Sequence, residues 1–269
     1  MNATRYAKTL VSYVDTLGFS AMVERSRREA TEIAKLSSRL AAMKRVAKEN
    51  TEHRRASGEK IEITFNSFSF SDLIVRCTGI GDEPPWFILL MGELHYLASR
   101  QATLAAAEGV FLRGGVTMGD LLADREENLV FGPALVRAYE LEKKLAIYPR
   151  IVIDHELSSK ATGAFKNMFE NLIRRGEDGT FFLDYLCAIL TVDLTPPMTS
   201  ETKHRIVRDH REIIVRALRE PAMRNDESLR RKYAWLALYH NAAARTIEER
   251  LGSEQFECVP ELLVSEELL

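Results

Sequence analysis

Strand-like and helix-like apolar patterns alternate along residues 1–155, and this order limits the folds that are open to the chain. The run TLVSYVD at 9–15 is rich in β-branched and aromatic residues, which is typical of a buried strand. Strands that alternate with helices around one hairpin predict an α+β sandwich of the ferredoxin-like kind, with a sheet packed against helices. The other predicted elements of this part are a helix at 20–50, a polar connector at 52–60, hairpin strands at 61–69 and 73–77, a helix at 86–107, a strand at 109–119, a helix from Gly132-Pro133 to 146 and a strand at 149–154.

The pattern changes after about residue 155, and this change divides the chain into 1–155 and 156–269. The second part begins with a predicted helix at 156–175, a turn at GEDG and a strand within TFFLDYL. Two long helices, predicted at 199–219 and 226–251, follow it as a helical extension.

Composition and charge exclude several classes of protein. The chain has 269 residues, 46% hydrophobic and 28% charged, which is enough to bury a sizeable core. A formal net charge of −2 argues against a dominant nucleic-acid surface, and the bases of helix 20–50 alternate with acids, as on a solvated face. No run approaches the 18 apolar residues of a membrane span. The cysteines (Cys77, Cys187, Cys258) lack metal-ligand spacing, as in a cytoplasmic protein.

Two aspartates stand where neighbouring strands are predicted to end. Asp15 closes the first strand before a glycine turn, and Asp72 lies at the tip of the hairpin in NSFSFSDLIVR. If the two strands are neighbours, the carboxylates meet at one end of the sheet and repel each other unless a cation lies between them. Mg²⁺ accepts such ligands and completes its shell with water and phosphates. Two unrelated turn aspartates remain the alternative at this point.

Several segments together resemble a known family. Over about residues 8–155 these segments resemble, in order, the metal-binding and later segments of class III nucleotidyl cyclases. They are YVDTLGFSAMVE, FSFSDLIV, and LRGGVTMGDL with LVFGPALVRAYELE. Within that family the Ser-Asp hairpin, DGTFFLDYL and KYAWLALYHN look most like the pyrimidine (uridylate or cytidylate) cyclases of bacterial Pycsar anti-phage defence.

The resemblance implies a metal- and nucleotide-binding site. It implies that 1–155 form the cyclase catalytic core and that 156–269 complete the fold and add the helical extension. It implies that Asp15, Asp72 and the backbone of Thr16 hold two Mg²⁺ or Mn²⁺ ions. The nucleotide-binding residues it implies are Gly18, Phe19, Phe68 and Ser71, with the amides of the first helix offered to phosphates.

Three features of this site depart from the family or leave alternatives open. Val136 and Glu140 occupy the positions where class III cyclases carry an Asn and an Arg that face the transition state. Arg113 and Arg137 are the nearby cations that could replace them as catalytic residues. Phe68 stands where purine cyclases place a polar base contact, so it favours a smaller pyrimidine base by stacking. Phe68 as an inward core residue of its strand is the open alternative.

The family resemblance favours one enzymatic function and leaves two alternatives. It implies a cyclase that converts UTP to cyclic UMP and pyrophosphate, with cyclic CMP from CTP as the near alternative. It also implies a head-to-tail homodimer with the nucleotide at the interface, and a separate effector protein that senses the cyclic nucleotide. A catalytically weak nucleotide-binding regulator of the same fold is the second hypothesis. A nucleic-acid-binding protein that uses the basic helix is the weakest.

Overall fold

The structure is a computed structural model that describes residues 5–27, 29–47, 51–54, 60–82, 85–191, 198–220 and 226–268. Its main element is an eight-stranded sheet in the order β4-β5-β1-β6-β8-β10-β9, with β7 paired to the far end of β6. The strands are β1 (Ala7–Thr16), β2 (Thr51–Arg54), β3 (Lys60–Ile63), β4 (Asn66–Phe70), β5 (Leu73–Gly79), β6 (Leu112–Asp124), β7 (Leu129–Phe131), β8 (Ile151–Ile153), β9 (Ile173–Arg175) and β10 (Phe181–Leu183).

Helices surround this sheet and continue into the C-terminal extension. They are α1 (Phe19–Ser26), α2 (Ala30–Ala47), α3 (Trp86–Glu108), α4 (Pro133–Lys144), α5 (His155–Phe169), α6 (Tyr185–Leu190), α7 (Ser200–Arg219) and α8 (Glu227–Leu251). Two short 3₁₀ turns, Pro260–Leu262 and Glu266–Leu268, end the described chain.

The predicted α+β sandwich is confirmed by the strand order. The run β1–helices–β4–β5–α3–β6 folds into four adjacent antiparallel strands in the order β4-β5-β1-β6, which is the ferredoxin-like arrangement. Strand β8 then adds in parallel beside β6, with Val116 opposite Ile153. The condition that β1 lies beside the hairpin is therefore met through β5, since Val14 lies opposite Ile74.

Five predicted elements differ from the structure. The strand predicted at 61–69 is two strands, β3 paired with β2 and β4 paired with β5, and the helix predicted at 156–175 ends at Phe169 before strand β9. The single helix predicted at 20–50 is two helices, α1 and α2, because residues 24–29 carry charged side chains and a serine but no apolar anchor. The polar connector predicted at 52–60 includes β2, which pairs with β3, and residues 55–59 of it lie outside the described residues. The strand predicted within TFFLDYL stops at Leu183, and helix α6 follows; periodicity alone does not separate a short, wholly buried helix from a strand.

Helix α4 lies unusually close to β6 because glycines line the contact. A Cβ added at Gly115 would come within 2.4 Å of the Ala138 carbonyl oxygen, and one at Gly119 within 3.2 Å of the Ala134 Cβ. These two glycines are the second and third members of the R-x-G-x-x-x-G run that begins at Arg113. The run therefore sets the distance at which α4 covers the sheet.

We expect Gly115→Ala to destabilise the fold by about 1–3 kcal/mol, the usual cost of overpacking a closely packed interior. The methyl group would meet backbone rather than a flexible side-chain end, so α4 has to move away from β6. Gly163→Ala in α5 is the control, because nothing lies within 4 Å of a Cβ there. Urea unfolding of both variants measures the difference, and equal stability of both would contradict the close seating of α4.

Candidate active site

Asp15 and Asp72 meet at one end of the sheet. Asp15 is next to last in β1, and Asp72 is in the two-residue turn that joins Phe70 to Leu73. Because β5 lies beside β1 with Val14 opposite Ile74, the hairpin tip comes alongside the end of β1. The two carboxyl groups share a hydrogen bond, and the backbone N–H of Thr16 also donates to Asp72. The structure thus brings together the two aspartates that the sequence singles out.

The environment of Asp72 favours a proton or a metal ion. Burial raises the pKa of Asp72 from 3.8 to about 7, and the hydrogen bond and negative charge of Asp15 act in the same direction. Hydrogen bonds from backbone N–H groups lower this pKa but do not reverse the shift. Two carboxylates this close favour a shared cation, which removes their repulsion.

Arg113 joins the pair from the neighbouring strand. Arg113 lies directly opposite Asp15 in the β1–β6 register, and its Nη2 donates to Asp15 Oδ2 at 2.8 Å. The same nitrogen lies 2.8 Å from Oε1 of Glu142, a buried residue of α4. The guanidinium therefore partly balances the charge of Asp15, and the catalytic role of Arg113 stays a prediction.

Tyr13 and Glu142 belong to the site although the sequence analysis did not single them out. Burial raises the pKa of Tyr13 to about 12, helped by the charges of Glu142 and Asp15. Burial also raises the pKa of Glu142, while Arg113 opposes the shift. A sequence signal for Glu142 existed: it lies four residues after Ala138, on the helix face that packs on the sheet. A charged residue on an apolar helix face is a reason to look for a buried partner.

The turn at Ser71 takes a conformation that suits glycine. Ser71 has a φ of 55°, in the left-handed region that L-residues with a Cβ occupy at a cost. This is the position where the cyclase resemblance expects Gly, so the chain keeps the turn in spite of the side chain.

We expect Ser71→Gly to stabilise the fold by about 1 kcal/mol through relief of this strain. A Tm below that of the wild type would contradict this expectation; Ser69→Gly in β4, where φ is not positive, is the control.

The predicted phosphate-binding turn sits directly after Asp15. Gly18 has a φ of 76° and begins α1, with its carbonyl accepting from the Met22 N–H at 3.1 Å. Phe19 is half-buried and borders a small apolar gap with Leu36 and Met43 of α2. Thr16 is buried, and its hydroxyl donates to Met43 Sδ at 2.9 Å. Thr16 as a backbone metal ligand and Gly18 and Phe19 as nucleotide contacts stay predictions.

The structure places Phe68 in the core and Phe70 on the surface. Phe68 is 7% exposed and packs with Val75 and Cys77 in the small cluster beneath α4. Its ring has this packing within a single chain, as the open alternative for Phe68 supposed, and its base-contact role stays a prediction. Phe70, next to the turn, is 81% exposed and was not singled out from the sequence.

Arg137 lies away from Asp15, at another point along β6. Its Nε and Nη2 donate to Asp154 at 2.8 and 3.0 Å, and Thr117 also donates to Asp154 at 2.8 Å. Thr117 is four residues beyond Arg113 in β6, a separation of about 13 Å. Val136 is 60% exposed and Glu140 pairs with Lys144. The structure therefore does not bring these α4 residues to the Asp15–Asp72 pair within one chain.

The carboxylates of Asp15 and Asp72 fit a metal ion whose other ligands are water and substrate phosphates. Within the described ranges, no group of three or more Asp, Glu, His or Cys side chains has the geometry of a metal site. Two carboxylates are nevertheless the protein ligands that Mg²⁺ usually takes when substrate phosphates and water complete its shell. The half-buried position of Asp72 beside Asp15, which raises its pKa, agrees with such a role.

Comparisons with known proteins give a weak structural similarity. The chain is similar to the adenylyl cyclase CyaB from P. aeruginosa, whose crystal structure it matches with a TM-score of 0.42 at 13% sequence identity. The match covers 66% of this chain and 92% of that chain. No family model and no curated protein matches the sequence. Among the described residues, no helix has the length and apolar character needed to cross a membrane. We therefore base the function on the contacts of Asp15 and Asp72.

Proposed function

We propose that the chain is a pyrimidine nucleotide cyclase that converts UTP to cyclic UMP and pyrophosphate. The observation that carries this proposal is the hydrogen-bonded Asp15–Asp72 pair at the end of a ferredoxin-like sheet, directly before the α1 turn. The order of these features along the chain is the order that class III cyclases share. Cyclic CMP from CTP is the near alternative, because Phe68 favours a small base without choosing between the two.

Asp15 and Asp72 would hold two Mg²⁺ or Mn²⁺ ions. The ions, when bound, supply charge for the triphosphate and lower the pKa of the ribose 3′-hydroxyl. In the reaction the 3′-hydroxyl gives its proton to water or to the leaving pyrophosphate, its oxygen bonds to the α-phosphorus, and the bond from that phosphorus to the pyrophosphate breaks. Atoms and charge balance without a further reactant.

The chain's own residues would position the triphosphate and balance its charge. The first amides of α1 after Gly18 face the phosphates with the positive end of the helix. Arg113 is the nearest guanidinium to the carboxylates and is the first candidate to bind the pyrophosphate as its charge develops. Its bond to Asp15 then has to be exchanged for the bond to phosphate, while Glu142 stays beside Nη2 as its counter-ion.

A homodimer with the nucleotide at the interface completes the proposed site. Apolar side chains of β7 and α4 support it: Phe131 is 47% exposed, Val136 is 60% exposed and Tyr139 is 40% exposed. Arg137 lies on the same helix and would reach the nucleotide of the partner in such a dimer. The proposed biological role is synthesis of a second messenger in anti-phage defence, read by a separate effector protein.

A panel of nucleotides tests the proposal. Purified protein is incubated with ATP, GTP, CTP or UTP and either Mn²⁺ or Mg²⁺, and products are identified by mass spectrometry. We expect cyclic UMP from UTP as the main product. Cyclic CMP as the main product would move the proposal to its alternative, and no cyclic product from any of the four would overturn it.

A catalytically weak regulator of the same fold is the second candidate. The exposed Val136 and the pairing of Glu140 with Lys144 favour it, because the two α4 positions that face the transition state in cyclases supply neither amide nor cation here. UTP binding by calorimetry without turnover would support this function, and turnover would exclude it.

A further inference from the structure

A second cleft lies at the opposite edge of the sheet from the β4–β5 hairpin. It is bounded by the chain before β8, the β9–β10 turn and helix α8, and it encloses about 390 Å³. This volume falls within the range of small-molecule sites in proteins. Neither Asp15 nor Asp72 takes part in it, so nothing in the proposed catalytic site explains its construction.

One wall of this cleft is a stack of aromatic rings. Trp235 stacks on Tyr148, with ring centroids 5.3 Å apart and planes at 9°, and on Tyr239, with 5.7 Å and 3°. The ring of Phe182 packs against Trp235 edge to face, with ring centroids 5.6 Å apart. Trp235 and Tyr148 are only half-buried, and Leu238 beside them is 57% exposed. The wall is therefore a rigid surface suited to a flat ring.

Three guanidiniums line the same cleft. Arg150 has a side chain that is only 3% exposed, and its carbon Cζ lies 5.4 Å from the Tyr148 ring and 5.7 Å from the Trp235 ring. Its Nε is buried and has no hydrogen-bond partner among the described residues. Arg174 is held by the buried Asp184. Arg175 is exposed, with its Cζ 5.8 Å from the centre of the Phe181 ring, and has no ion pair among the described residues. Arg150 and Arg175 are thus the groups able to bind an anion.

The carboxylate of Asp178 separates Arg150 from solvent. Asp178 accepts from Nη1 and Nη2 of Arg150, and its side chain is 47% exposed. Glu177 is the other carboxylate that lines the cleft. Asp178 Oδ1 also accepts from the Thr180 N–H at 3.1 Å, so Asp178 binds one guanidinium and one backbone amide. A phosphate in its place would keep a two-pronged bond to Arg150 and would add the second guanidinium of Arg175.

We propose that this cleft binds a nucleoside phosphate, with its base on the Tyr148–Trp235 wall and its phosphate on Arg150 and Arg175 in place of Asp178. The ligand class follows from a flat aromatic surface and guanidiniums in one cleft of this size. This site is independent of the proposed catalytic function, because it shares no residue with it.

Fluorescence of Trp235 tests the proposal. The chain holds two tryptophans, so Trp86→Phe leaves Trp235 as the only reporter. UMP, AMP, uridine and inorganic phosphate are titrated in EDTA, on a Trp86→Phe, Asp72→Asn background that separates this cleft from the catalytic site. We expect quenching by the nucleotides at concentrations up to about 1 mM, the weak end of specific binding, and weaker responses to uridine or phosphate alone.

Three variants locate the binding. Arg175→Ala should weaken nucleotide binding about fivefold or more, and Asp178→Asn should strengthen it, because the competing charge is gone. Arg245→Ala, an exposed position of α8 outside the cleft, should leave it unchanged. Weaker binding by Asp178→Asn, no effect of Arg175→Ala, or no quenching by any nucleotide would overturn the proposal. Circular dichroism confirms that each variant is folded.

Discussion

Asp72→Asn should slow formation of the cyclic nucleotide by about two to three orders of magnitude. The change removes one of the two carboxylates that would hold the metal ions, whose charge stabilisation is worth several kcal/mol. Since each ~1.4 kcal/mol is tenfold in rate, turnover should fall by about 10²- to 10³-fold. Initial rates with UTP and Mn²⁺ at equal concentrations of folded protein measure the loss.

The same substitution should stabilise the metal-free protein at alkaline pH. In the folded chain the pKa of Asp72 is about 7, above its unfolded value of 3.8. Its stabilising contribution is therefore complete below about pH 3.8 and is lost as the pH rises through 7. The side-chain amide of the variant can still donate a hydrogen bond to Asp15 and stays uncharged at every pH. In EDTA the Tm of Asp72→Asn should exceed that of the wild type at pH 8, and the gap should close toward pH 5.

Asp124→Asn is the matched control for both effects. Asp124 borders another hairpin, β6–β7, where its Oδ1 accepts from the N–H groups of Glu126 and Glu127 at 3.0 and 3.1 Å. Asparagine can accept the same bonds, so turnover should stay at the wild-type level. Wild-type turnover by Asp72→Asn, or an equal loss in Asp124→Asn, would separate the hairpin carboxylate from catalysis.

Glu93→Ala should remove a large part of the free energy of unfolding. Glu93 is fully buried on α3 and accepts from Nε of Arg76 at 3.1 and 3.2 Å and from Nη2 at 3.1 Å. The Arg76 guanidinium, 1% exposed, lies 3.7 Å from the centre of the Tyr96 ring. Removing one partner leaves a buried charge without its counter-ion, which costs about 3–5 kcal/mol. Urea unfolding with a constant m-value measures this loss.

The double variant Arg76→Met, Glu93→Met distinguishes lost pairing from lost volume. Two apolar side chains of similar size leave no buried charge, so most of the stability should return. The exposed Arg231–Glu227 pair of α8, with side chains 72% and 78% exposed, is the control. Glu227→Ala should not change the Tm measurably. A single Glu93→Ala variant as stable as Glu227→Ala would contradict the importance of the buried pair.

The meeting of Asp15 and Asp72 could be predicted because it depends on local patterns. A strand-end aspartate and a hairpin-tip aspartate are both visible in the sequence, and the order of strands in a ferredoxin-like sheet brings their ends together. Burial and hydrogen bonding at this point depend on neighbours from distant parts of the chain. The raised pKa of Asp72 could therefore not be predicted from the sequence.

Which face a side chain occupies was harder to predict than which element it belongs to. Phe68 lies in a strand as expected, but alternation does not reveal that α4 covers its side of the sheet. The same helix carries Glu142 inward and Arg137 outward, and it is the inward residue that meets Arg113. Of the two candidate arginines, Arg113 contacts Asp15 because it lies opposite Asp15 in neighbouring strands, and its catalytic role stays a prediction.

Calorimetric titration of Mn²⁺ into the metal-free protein at pH 6.5, in two buffers of different ionisation enthalpy, tests the central claim most directly. If Asp15 and Asp72 hold the metal, Mn²⁺ binding should release about one proton for each carboxylate pair. The reason is that the pKa of Asp72 is about 7 and its carboxyl group has to be ionised to bind the metal. Binding should weaken at least about tenfold in Asp15→Asn and in Asp72→Asn. Unchanged Mn²⁺ affinity in either variant would contradict a metal site at this carboxylate pair.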